Sequence, residues 1–146
     1  MSTNMSVREA MSPNPRSVDP EMPVVEVARI MLAEDVGSLP VVQGERLMGV
    51  ITDRDIAVRV VAEGKDPTDL PVAGIASREI VTVSPDQPLD EALQVMASAR
   101  VRRLPVVDDG RLVGILAQAD VARSADEQAT GRVVEEISQP GGQQPA

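Results

Sequence analysis

The feature that most constrains this chain is that most of it is written twice. Leu39-Pro40-Val41-Val42 returns 65 residues later as Leu104-Pro105-Val106-Val107, and the register runs without a gap from Ser17–Ile56 onto Thr82–Val121. Identical pairs along it include Val18/Val83, Pro20/Pro85, Pro23/Pro88, Glu26/Glu91, Met31/Met96, Val36/Val101, Arg46/Arg111, Leu47/Leu112, Gly49/Gly114 and Asp55/Asp120. Chance does not hold one register so long. A solenoid needs about three or more repeats to cover its apolar faces, so two copies predict a closed pair.

Each copy has the same order of elements. After Pro23, Val24, Val27, Ala28, Met31 and Leu32 fall on one helical face, and after Pro88, Leu89, Ala92, Leu93, Met96 and Ala97 repeat that spacing. Both read as amphipathic helices with a proline in the first turn. The runs Leu39–Val42 and Leu47–Ile51, joined through Gln43-Gly44-Glu45-Arg46, predict a hairpin, as do Leu104–Val107 and Arg111–Leu116 around Asp108-Asp109-Gly110. A second helix follows each hairpin, over about Asp53–Ala62 and Gln118–Ser124.

This divides the chain into a tail (1–6), a first unit (7–62), a breaker-rich surface connection (63–71) and a second unit (72–124). A charged terminal helix is expected within 125–138. Residues 139–146, with two Pro and two Gly, are expected to be disordered.

Composition removes whole classes of function. The chain has no Cys and no His, hence no disulfide, no thiolate nucleophile, no sulfur-ligated zinc and neither the commonest general base nor the commonest transition-metal ligand. Phe, Tyr and Trp are also absent, so a bound base must lie between aliphatic side chains. The net charge of −9 argues against nucleic acid, whose phosphates are held by clustered Lys and Arg. Apolar runs are short and Met1–Met11 carries Arg8 and Glu9, which predicts no signal peptide, no membrane span and a cytoplasmic location.

With this order of elements, and with Gly49-Val50-Ile51-Thr52-Asp53-Arg54-Asp55 after the first hairpin, the sequence resembles the CBS (cystathionine-β-synthase) domain family over about Val7–Arg123. The Leu-Pro-Val-Val strand, the Gly-hydrophobic-hydrophobic-Thr-x-x-Asp turn and the proline-opened helix carry the resemblance; the first and last stand twice, while the turn's second copy has Ala117 in place of its Thr. The chain's size resembles stand-alone bacterial two-repeat members. The resemblance implies an α+β fold whose two repeats pack sheet to sheet about a pseudo-two-fold axis, leaving two clefts. It also implies a disc-shaped homodimer and clefts that take AMP, ADP, ATP or S-adenosylmethionine, with no obligatory cofactor and no bound metal.

Carried over residue by residue, the Thr-x-x-Asp element falls on Thr52 and Asp55. A carboxylate at a helix start can accept both hydroxyls of a ribose, and the Thr hydroxyl with nearby N–H groups can meet a phosphate or ribose oxygen. The same pattern is also a capping box. Ala117 breaks that box in the second unit while Asp120 is retained, which favours a ribose role for Asp120; Asp55, in the complete motif, ranks first.

Phosphates need cations. Arg102 and Arg103 precede the second Leu-Pro-Val-Val where Gly37 and Ser38 stand in the first, and Arg54 is a third candidate. Against them stands the reading of exposed surface arginines, although Arg100–Arg103 is the densest basic cluster of an acidic chain. For the base, the resemblance points to Met11–Val18 and Ala76–Val83, hence Ser17, Val18, Thr82 and Val83, and to Val50 and Ile115. Core packing is the competing role for the valines.

Two other functions compete with an adenine-ligand sensor. Asp53 and Asp55 can bind Mg²⁺, but without a nucleophile, a base or a phosphate motif they do not make an enzyme. A dimer with empty clefts, acting as a protein-interaction module, is the stronger alternative. Any effector protein lies outside what these residues specify.

Overall fold

The computed structural model describes residues 5–124. The expected terminal helix and disordered tail, over 125–146, lie outside the described residues. The elements are α1 (Val7–Ala10), β1 (Ser12–Pro13), α2 (Val24–Glu34), β2 (Ser38–Gln43), β3 (Arg46–Thr52), α3 (Asp53–Ile56), α4 (Leu89–Ala99), β4 (Arg103–Asp108) and β5 (Arg111–Ala117). Residues 118–124 are helical. The helix expected over Asp53–Ala62 is an α-helical start that widens into a π-helical turn at Ala57–Val61.

β2 pairs antiparallel with β3, and β4 with β5, each pairing carrying a register shift at the same repeated place, Val41/Val42 and Val106/Val107. Asp109 and Gly110 both have positive φ, as a two-residue type I′ turn requires; in the first hairpin Gly44 does so. The hairpins join at their turn ends, where Arg46 faces Arg111 and the Leu47 and Leu112 N–H groups donate to the Gly110 and Glu45 carbonyls. The two tandem repeats thus meet through their sheets about a pseudo-two-fold axis, in an α+β fold.

The helices bury less than their apolar spacing predicts. Val24, Val27 and Met31 are buried on α2 and Leu89, Ala92 and Met96 on α4, while Leu32 is 83% exposed and Leu93 38%. The i, i+3, i+7 stripe is the buried part, at about 1.5–3 kcal/mol per fully buried large side chain, and Ile30 and Val95 pack against the cores half-buried. Pro23 and Pro88 stand at the N-cap rather than inside the first turn, and both helices end on a left-handed residue, Asp35 and Arg100.

Two separate cores form, and each borrows from the other half of the chain. Val7 and Ala10 of α1 lie in the core of the second unit with Val83, Leu104, Val106 and Leu116. Val72 and Ile75, 65 residues further on, lie in the first unit's core with Val18, Leu39, Val41 and Ile51. The exchange is stitched by backbone: Leu89 N–H donates to the Met5 carbonyl and Val24 N–H to Leu70, at 2.9 Å each. The connection before Val72 therefore ends docked against α2. Within it Asp66 accepts from the Thr68 hydroxyl at 2.6 Å and N–H at 2.9 Å, and these bonds, the hydroxyl's first, hold its carboxyl below the ordinary range. No helix among the described residues is long and apolar enough to cross a membrane.

Candidate functional site

The crossing arms shape the site. β1 pairs with β5 at Ser12/Ile115, and Ser77, its repeat equivalent, bridges Val50 on β3. Glycine is required where the arms cross: a Cβ on Gly49 would come within 2.7 Å of the Ser77 carbonyl oxygen, and one on Gly114 within 3.0 Å of the Ser12 carbonyl oxygen. The Gly-hydrophobic-hydrophobic motif thus lets the other half's backbone lie flat on the strand.

Between the arms and the strands lies one continuous cleft of about 620 Å³. It spans both repeat-related sites, so equivalent residues occupy its two walls. The first wall carries Arg16, Glu34, Ser38, Pro40, Val50 and Thr52; the second carries Val81, Ala99, Arg103, Pro105, Ile115 and Ala117, with Asp120 added. The lining is largely apolar with a few polar side chains, a composition suited to a flat base flanked by hydrogen-bonding groups.

The two acids differ. Asp55 closes a complete capping box: the Thr52 N–H donates to Asp55 Oδ2 and the Asp55 N–H to Thr52 Oγ1, each at 3.0 Å, with Arg59 4.0 Å away. Its carboxylate is occupied by the helix start and is not on the cleft lining. Asp120 does line the cleft. It accepts from the Ala117 N–H and the Ser12 hydroxyl at 3.4 Å each and from Arg123 at 2.9 Å. The first two contacts are long and the third is short, so what sets Asp120 apart from Asp55 is its place on the lining. The cleft lining thus includes Asp120 and leaves out Asp55, although each carboxylate accepts from the N–H of the residue three before it.

Of the other sequence candidates, Thr52, Val50, Arg103 and Ile115 line the cleft, whereas Arg54, Arg102, Ser17 and Thr82 do not. Val18 and Val83 are core residues, 2% and 3% exposed. Their backbones are spent as well: the Val18 N–H donates to Pro40 and its carbonyl accepts from Val42, and Val83 does the same with Pro105 and Val107. Alternation on an extended segment turns these valines inward.

Ser12, Arg16, Ser77 and Glu79 lie in the segments 11–18 and 76–83 to which the resemblance points without being picked out there, and Glu34 lies outside them. Ser12/Ser77 was detectable as an identical pair at the same offset, beyond the stretch compared. Arg16 and Glu34, 3.4 Å apart, come together only in three dimensions. Among the described residues no group of three or more acids is placed to hold a metal ion.

A family model described as "CBS domain" matches residues 7–62 and 72–127. The CBS domain-containing protein YhcV of Bacillus subtilis is 42% identical over 117 residues, which cover 80% of this chain and 83% of that one. Two solved structures share the fold at higher coverage of the partner. CBSX2 in complex with AMP aligns with a TM-score of 0.75 at 27% identity over 85% of this chain and 98% of its own. The CBS domain pair of protein MJ0100, in complex with 5-methylthioadenosine and S-adenosyl-L-methionine, aligns with a TM-score of 0.71 at 29% identity over 83% and 99%.

Proposed function

The chain belongs to the CBS-domain family, as a tandem pair, and from that premise we propose that it is a non-enzymatic regulatory module holding an adenine-containing ligand, AMP, ADP, ATP or S-adenosylmethionine, between its repeats. The base lies between Val50 and Ile115 with Pro40 and Pro105, the ribose hydroxyls on Asp120, and charge on the ligand tail is met by Arg103. The single observation that carries this reading is Asp120, a carboxylate on the wall of an apolar cleft, steadied by Ser12 of one arm and Arg123 of its own helix. The adenine ligands of CBSX2 and MJ0100 support the ligand class.

A ligand bridging two walls from different repeats shifts their arrangement in proportion to its differential affinity for the two states. Leu32 and Val61, 83% and 71% exposed on the helical exterior, support a second copy of the chain as the partner that reads the shift. The cytoplasm, where adenine nucleotides are made and spent, is the location this reading implies.

The test is a thermal-shift panel of AMP, ADP, ATP, S-adenosylmethionine and NADH. A ligand at a hundredfold excess over its Kd adds about 2.7 kcal/mol to a protein that binds it only when folded. At least one adenine compound should raise the midpoint, and Asp120→Asn should reduce the rise more than Asp55→Asn. A flat panel sinks the ligand reading and leaves the interaction module, which the same exposed apolar residues favour.

A further inference from the structure

The walls of the cleft are equivalent in backbone and unequal in charge. Its lining holds two cations, Arg16 and Arg103, against three acids, Glu34, Glu79 and Asp120. Arg16 is taken up by Glu34 at 3.4 Å, and Asp120 by Arg123 at 2.9 Å. Among the described residues, Arg103 has no carboxylate within ion-pair distance. It is thus the one uncompensated cation on the lining.

Arg103 pairs in register with Ala117, and the Ala117 N–H donates to Asp120, so Arg103 and Asp120 meet at the same end of the cleft. On the other wall the equivalent of Arg103 is Ser38, which pairs with Thr52; with Ser77 they make a trio of hydroxyls, and that wall's one cation, Arg16, is held by Glu34. A phosphate monoester carries about −1.5 to −2 charges at neutral pH, enough to occupy one guanidinium fork. For each further phosphate the lining offers no second free cation, and it meets Glu79 and an overall charge of −9.

Resting on the cleft reading above, we propose that this cleft takes one nucleoside monophosphate per chain, its phosphate on Arg103 and its ribose on Asp120, and discriminates against nucleoside triphosphates. The Ser38 end accepts only uncharged groups.

Isothermal titration of the whole chain with adenosine, AMP, ADP and ATP tests this. AMP should saturate at one per chain and bind about tenfold or more tightly than ATP. Arg103→Met should weaken AMP about tenfold or more and leave adenosine unchanged, so that a folding defect is told apart from a lost phosphate contact. Ser38→Arg, which installs the missing cation at the equivalent place, should raise the AMP stoichiometry toward two. ATP binding as tightly as AMP, two AMP on the unaltered chain, or equal losses of adenosine and AMP in Arg103→Met each overturn the proposal while leaving adenine binding intact. Silence of adenosine and all three nucleotides overturns the cleft reading itself.

Discussion

Residues 65 apart in this chain occupy equivalent backbone positions and do different work. At the start of α3, Thr52 and Asp55 satisfy each other, and the helix is capped at the expense of the cleft. At the matching place Ala117 has no hydroxyl, and Asp120 turns to the Ser12 hydroxyl of the crossing arm and to the cavity. The two acids thus share a bond to their own helix start and differ in that only Asp120 also meets the crossing arm and the lining. The same contrast separates Ser38 from Arg103, and the Arg16–Glu34 ion pair from Val81 and Ala99. Duplication fixed the frame, and substitution at a handful of lining positions made one wall different from the other.

The contrast predicts where the halves behave alike and where they part. The largest effects belong to the cores, where the halves should be equal. Leu39→Ala and Leu104→Ala, both at nearly fully buried sites, should each cost about 2–5 kcal/mol in chemical denaturation. A difference between them greater than that range spans would break the equivalence of the frame.

Next come the arm crossings. Gly49→Ala drives a methyl into the Ser77 carbonyl, which is backbone and cannot swing aside; at Gly114 the nearest group is the flexible Met11 side chain, with the Ser12 carbonyl at 3.0 Å. Both should destabilise by about 1–3 kcal/mol, Gly49→Ala at the upper end. An equal or reversed order, read from the denaturant midpoints, would show that the second arm is held as rigidly as the first.

The caps come third and have opposite signs. Thr52→Ala should cost about 0.5–2 kcal/mol, while Ala117→Thr should stabilise by up to about 1 kcal/mol and draw Asp120 away from the cleft, weakening AMP. Stabilisation without loss of AMP would separate capping from binding. Smallest of all, Arg8→Ala removes a 3.3 Å surface ion pair with Asp86 that has no counterpart in the other half, where Ala73 and Glu21 stand; its effect should stay below about 0.5 kcal/mol.

Much of this frame was readable before any coordinates. The hairpins and long helices follow from apolar periodicity and turn residues, which act over a few neighbours. The exchange of arms was not readable, because Val7-x-x-Ala10 and Val72-x-x-Ile75 are too short to show which core they enter. The exposure of Leu32 was missed because periodicity marks an apolar face without saying how wide a strip the neighbour covers. In the site, Thr52, Arg103 and Asp120 were legible from motif and position. The absence of Asp55 from the lining was not, since the motif is the same whether it caps or binds.

The crossed arms also set a timetable for synthesis. Val7 leaves the ribosome well ahead of Leu104, Leu116 and Val121, which build the core that receives it. The first unit likewise waits for Val72 and Ile75 before its own core closes. Until translation passes the second hairpin, the opening helix has nowhere to dock, so a messenger truncated anywhere before that point yields a polypeptide with an apolar segment left over and exposed to aggregation.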